Sequence, residues 1–140
     1  MFAALPLLAL PVLFYNFLIL ATMPGGFGSI VANDRLTATL VSIPMASGVK
    51  WALSFSDIMI FVSLVILFIE LLKSTTNRRI AIINHSLSMI LFIFCLVEFL
   101  LLKAFSTSAF FLLTAMVLLD VLAGFIVTIA SARREIDVVN

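Results

Sequence analysis

Asp120 lies within an apolar run that extends about twelve residues to either side, and no Lys or Arg of this chain occurs at that depth. An ionised carboxylate in hydrocarbon is expensive, about 2.5 to 3.5 kcal/mol on insertion scales, and with no cationic partner the neutral acid is favoured. Such a group can donate a hydrogen bond to a facing helix, with Ser63, Ser88 and Asn16 as candidate partners. It can also pass a proton or an ion, or pair with a charge on another subunit. The hydrogen-bonding role is the leading expectation. Glu70 stands near one end of its own apolar run, with Lys73 three positions later and Arg78 and Arg79 close by. Glu98 stands near the opposite end of the next run, close to Lys103, which can snorkel outward along its stem. Both acids are expected to form ion pairs at the membrane–water interface. His85 could meet Glu70, and a hydrogen-bonded structural role is expected for it. It is the only His, which excludes an intrachain multi-His metal site, and the only cysteine, Cys95, excludes an internal disulfide. No metal and no cofactor is expected.

These polar residues recur at helical spacing. Ser56, Ser63 and Glu70 repeat every seven residues and share one helix face. Asn84, Ser88, Leu91, Cys95 and Glu98 alternate by four and three, and Asp120, Gly124, Thr128 and Ser131 follow a similar pattern. Each stripe is narrow on an otherwise apolar cylinder. In lipid that pattern marks a packed interface, because small residues let backbones approach and hydroxyls bond across helices. Gly124 and Thr128 are the expected packing positions, and the Leu, Ile and Phe faces are expected to meet lipid.

The cylinders themselves account for most of the 140 residues, of which 64% are hydrophobic. A helix needs about 20 apolar residues to cross the hydrocarbon core, and such segments lie at about 2–22, 57–72, 80–102 and 108–132. The predicted fold is an all-α membrane protein, a single integral domain over 1–140 built as a four-transmembrane-helix bundle. The first segment lacks the basic region and small-residue cleavage site of a secretory signal, since no Lys or Arg precedes Arg35. It reads as a retained helix. Pro6 falls in its first turns, and Pro11 is expected to kink it.

Orientation follows from the basic residues. Lys73, Arg78, Arg79, Arg133 and Arg134 fall on one side, and Arg35, Lys50 and Lys103 on the other. Five against three favours cytoplasmic N and C termini by the positive-inside rule. The formal net charge of +1 gives no reason to expect nucleic-acid binding. Between the first two spans, residues 23–56 form the extracytoplasmic loop. Its β-branched run at 35–43 and the run at 49–54 flank a Pro- and Gly-containing turn, which predicts a short β-hairpin. Trp51 beside Lys50 reads as an interfacial anchor, and Ser54 with Asp57 has the spacing of a capping box at the next helix.

The run Trp51-Ala52-Leu53-Ser54 leading to Asp57, then Glu70, Val97-Glu98-Phe99-Leu100-Leu101, and Phe110-Phe111-Leu112-Leu113-Thr114 leading through Asp120 and Gly124 to Ala132-Arg133-Arg134 resemble an uncharacterised family of small four-span bacterial membrane proteins. The resemblance covers nearly the whole chain and implies location and architecture without catalytic residues. No nucleotide-binding, catalytic or metal-binding motif is present, and the connections are too short for a soluble catalytic domain. The expected function is non-enzymatic: an accessory, assembly or scaffolding subunit of the inner membrane that packs against itself or other membrane proteins in the lipid bilayer. The alternative is a proton- or ion-coupled transporter or channel subunit centred on Asp120.

Overall fold

A proline has no N–H to give, so it suits the first turn of a helix and not its middle. The computed structural model describes residues 5–73 and 78–139, and their side chains except at 78–81, 131 and 134–139. In it, helix α1 spans Ala9–Thr22, which makes Pro11 its third residue. Pro11 therefore marks the start of the helix, and the kink expected of an interior proline has no place. The turn ahead of it closes through Ala9 N–H to Pro6 O at 3.1 Å and Leu10 N–H to Leu7 O at 3.0 Å. With 14 residues at about 1.5 Å each, α1 is about 21 Å long, less than the ~30 Å hydrocarbon core. The first span expected over 2–22 is thus a shorter helix, and residues 2–4 lie outside the described ones.

After a 3-10 turn at Gly26–Gly28 comes a helix that the sequence did not suggest, α2 (Ala32–Thr37). Its Ala32 and Leu36, one turn apart, are buried. The strand expected over 35–43 begins only at Thr39: β1 spans Thr39–Pro44 and pairs antiparallel with β2, Lys50–Ser54. Ile43 faces Trp51 and Val41 faces Leu53, with an irregularity between Thr39 and Val41. The hairpin closes through Met45 N–H to Val49 O at 3.0 Å and Gly48 N–H to Met45 O at 2.9 Å. Gly48 has φ +83°, the left-handed conformation that ends a three-residue hairpin loop and that glycine adopts without a Cβ penalty.

β2 runs straight into α3 (Phe55–Lys73). The capping box is present: Ser54 N–H donates to Asp57 Oδ2 at 2.9 Å, and Asp57 N–H donates to Ser54 Oγ at 3.3 Å. α4 spans Arg78–Leu101, and α5 spans Ser108–Val139 after a 3-10 turn at Lys103–Phe105. Thr107 caps α5 by taking the Phe110 N–H on its hydroxyl at 3.1 Å. Among the described residues, Phe55–Lys73, Ile82–Leu101 and Ser108–Ala130 are long and apolar enough to cross a membrane. That is consistent with an integral membrane protein. α5 has 32 residues, about 48 Å, so it continues beyond the span expected to end at 132. It packs against both α3 and α4.

α1 is held differently. Its Tyr15 is fully buried between Phe105 and Phe110, with ring centroids 5.3 and 4.8 Å away. Elsewhere α1 is flanked by apolar clefts, about 380 Å³ beside α3 (Leu10, Phe14, Ile58, Val62) and about 340 Å³ beside α4 (Leu13, Ile90, Phe94).

Candidate functional site

Two adjoining layers of polar side chains, apart from the Asn16–Glu98 pair, lie in the bundle interior. The first is centred on Glu70, which is 0% exposed. Its Oε2 accepts the Leu7 N–H at 2.7 Å, and its Oε1 accepts from Asn84 Nδ2 at 2.5 Å. Lys73 Nζ lies 3.5 Å from Oε1 and donates to Leu5 O at 2.6 Å. Glu70 and Lys73 thus grip the backbone on the N-terminal side of α1. Leu7 N–H is one of the free amides that precede a helix, and a carboxylate there also meets the positive end of the helix dipole. The expected Glu70–Lys73 ion pair is present, although Glu70 sits inside the bundle and not at a wet interface. Its other expected partners, the side chains of Arg78 and Arg79, lie outside the described residues.

The helix partner of Glu70 is Asn84, in place of the expected His85. Successive residues on a helix point about 100° apart, so only one of the two can meet α3. His85 turns to α5, where Gly124 leaves room for it: a Cβ built on Gly124 would lie 2.6 Å from His85 Nδ1. Asn84 Oδ1 and His85 Nδ1 are buried and have no hydrogen-bond partner among the described residues.

The second layer is the pair expected at Asp120. Ser88, fully buried on α4, donates to Asp120 Oδ2 at 2.5 Å. Titratable neighbours of Asp120 include Glu70, His85 and Lys73. Ser63 and Asn16, the other expected partners of Asp120, are engaged elsewhere. Ser63 is buried but donates to Met59 O one turn back, at 2.8 Å. Asn16 donates to Glu98 Oε2 at 3.2 Å and to Val12 O at 3.1 Å. Glu98, 4% exposed, therefore takes its bond from α1 and not from Lys103, which is exposed. A carboxylate turned into the bundle cannot also reach a lysine directed outward.

Of the expected packing positions, Gly124 touches α4 through His85, whereas Thr128 is exposed and its hydroxyl donates to Gly124 O on its own helix at 2.9 Å. The stripe therefore leaves the interface beyond Gly124; the side chain of Ser131 lies outside the described residues. Cys95 is buried as a free thiol. Lys50 and Trp51 are exposed on β2, remote from both polar layers in the chain's topology. Sequence reasoning missed Tyr15, whose hydroxyl donates to Ala104 O at 3.1 Å and lies 2.8 Å from Thr107 Oγ1. The signal was available, since a tyrosine in an apolar helix must find a partner for its hydroxyl when buried. Among the described residues no group of His, Cys, Asp and Glu is arranged to hold a metal ion. Comparison with protein-family models, curated proteins and solved structures finds no match.

Proposed function

We propose that this chain is a non-enzymatic accessory or assembly subunit of the bacterial inner membrane, a four-span protein with cytoplasmic N and C termini. One observation carries the reading: each of the three buried acids, Glu70, Glu98 and Asp120, joins two parts of the bundle. Glu70 links α3 to α4 and to the start of α1, Glu98 links α4 to α1, and Asp120 links α5 to α4. Carboxylates committed in this way serve cohesion, and the outer surface is left apolar for lipid or other membrane helices. The fourth span is supported by the reach of the first segment. Leu5 and Leu7 meet the Lys73 end of α3, while Asn16 and Tyr15 meet Glu98 and Thr107 at the opposite end of the bundle. Residues 5–22 thus run nearly the depth of the helices that can cross. The basic residues supply the orientation, as argued from their positions, and the resemblance to small four-span bacterial proteins points to the same architecture.

A second reading, proton or ion passage through Asp120, is favoured by the two unpartnered buried atoms, Asn84 Oδ1 and His85 Nδ1, beside Glu70 and Asp120. The two readings part at Asp120→Asn. An amide can still accept from Ser88 but cannot exchange a proton near neutral pH. For an assembly subunit, the Asn variant should migrate like the parent on a native gel in mild detergent and restore the phenotype of a deletion strain, whereas Asp120→Leu should fail at both by leaving Ser88 unpaired at about 1–3 kcal/mol. Normal migration with complete failure to restore the phenotype would replace the assembly reading by the transport one.

A further inference from the structure

The register of the hairpin sorts its side chains by chemistry. Paired residues in an antiparallel ladder share a face, and alternate residues along a strand change face. Ile43↔Trp51 and Val41↔Leu53 therefore stand together, and the Met45–Val49 bond extends the same face toward the turn. Every residue on that face is apolar. The opposite face carries Ser42, Pro44, Lys50 and Ala52. The apolar face is open: Val41 is 54% exposed, Val49 67% and Trp51 51%.

We infer that the hairpin lies flat in the outer boundary of the bilayer, with the Val41, Ile43, Met45, Val49 and Trp51 face turned to the acyl chains and the Lys50 face turned to headgroup phosphates and water. The occupant of this face is therefore lipid. Three observations favour lipid over a protein cover. The strand passes without a linker into α3 at Ser54 and Phe55, so the hairpin starts where a span starts and cannot stand far from the interface. The tryptophan and the lysine occupy adjacent positions on opposite faces, the arrangement that puts an indole at headgroup level and an ammonium in water. A two-stranded sheet also has unpaired N–H and C=O groups on both edges, which hydrocarbon does not tolerate but the headgroup region satisfies. The hairpin can thus enter the boundary and go no deeper. Arg35 and Lys103, both exposed near this end of the bundle, add positive charge facing the same phosphates.

The inference rests on the membrane reading, and the two are tested separately. The full chain is reconstituted in vesicles of phosphatidylcholine and phosphatidylglycerol, and flotation after an alkaline wash reports whether the spans are inserted. Trp51 is the only tryptophan of the chain, so its fluorescence reports the hairpin alone. In floated vesicles, phosphatidylcholine brominated on the upper acyl chain should quench it strongly. Ile43→Lys, on the same face, should lose that quenching, while Ser42→Lys, on the opposite face and equally remote from the helix core, should retain it. Absence of bromolipid quenching in floated parent protein overturns the inference, whether aqueous iodide then quenches, which puts the face in water, or does not, which puts it against protein. Equal quenching in the parent and Ile43→Lys overturns it too.

Discussion

At Gly124 the absence of a side chain is what lets two helices meet, because the space a Cβ would fill is held by the His85 ring and its Cβ, at 2.6 to 3.1 Å. The clash involves the base of the imidazole as well as Nδ1, so His85 cannot escape by a small turn of its far end. Gly124→Ala should therefore destabilise the protein in spite of the better helix propensity of Ala, and Gly124→Leu should do so more strongly. In a His85→Ala background the cost of Gly124→Ala should largely vanish, a coupling in the range of about 0.5–3 kcal/mol. Denaturation by SDS in mixed micelles would measure it, and additive effects would show that the contact is not what makes Gly124 necessary. The stripe on the fourth apolar segment was legible only as far as Gly124, since Thr128 is exposed beyond it, and Ser88 was one of three candidate partners for Asp120. The choice between Asn84 and His85 for Glu70 was not legible, because it depends on the rotation of α4 about its axis. Periodicity along one helix says nothing of how far a neighbouring helix is turned toward it.

Among the elements, α3 begins with the most clearly signalled structure in the chain. Ser54 and Asp57 each satisfy the other's backbone N–H, and the Ser54 hydroxyl also donates to Asp57 Oδ2 at 2.5 Å. Ser54→Ala should cost about 1 kcal/mol, read in the same SDS titration. If the variant unfolds at the parent midpoint, the box contributes nothing that neighbouring contacts do not already supply. This cap and the hairpin beside it were legible because both are local: their partners lie within a few residues of one another. α2 was hidden by Thr37 and Thr39, which with Val41 and Ile43 made the run at 35–43 read as strand, although the spacing of Ala32 and Leu36 suits one turn of helix. α1 was overextended for the opposite reason. Hydrophobicity continues through residues 5–8, but Pro6 and Pro11 decide where backbone hydrogen bonding can begin.

For the molecule as a whole, the proposed topology rests on the arrangement of charge and the reach of residues 5–22, and reporters test it. A reporter fused after residue 76 or at the C terminus should register the cytoplasm, and one inserted between Thr37 and Ser47 the opposite side. A reporter ahead of residue 5 decides the count of spans: cytoplasmic placement means that α1 crosses, while extracytoplasmic placement would leave three crossings and turn the first segment into a re-entrant one. The clasp between Leu7 and Glu70 also sets a timetable. The bond joins residues 63 apart in the chain, and at roughly 5–20 residues per second of synthesis the first helix waits about 3 to 13 s before its anchor exists. Asn16 and Tyr15 wait longer, since their partners are 82 and 92 residues away. During that interval the long-range bonds that fix α1 are absent, and Asn16 has only its bond to Val12 O within the helix itself. Docking of α1 is therefore a late step, completed only after Thr107, the residue just ahead of α5, has been synthesised.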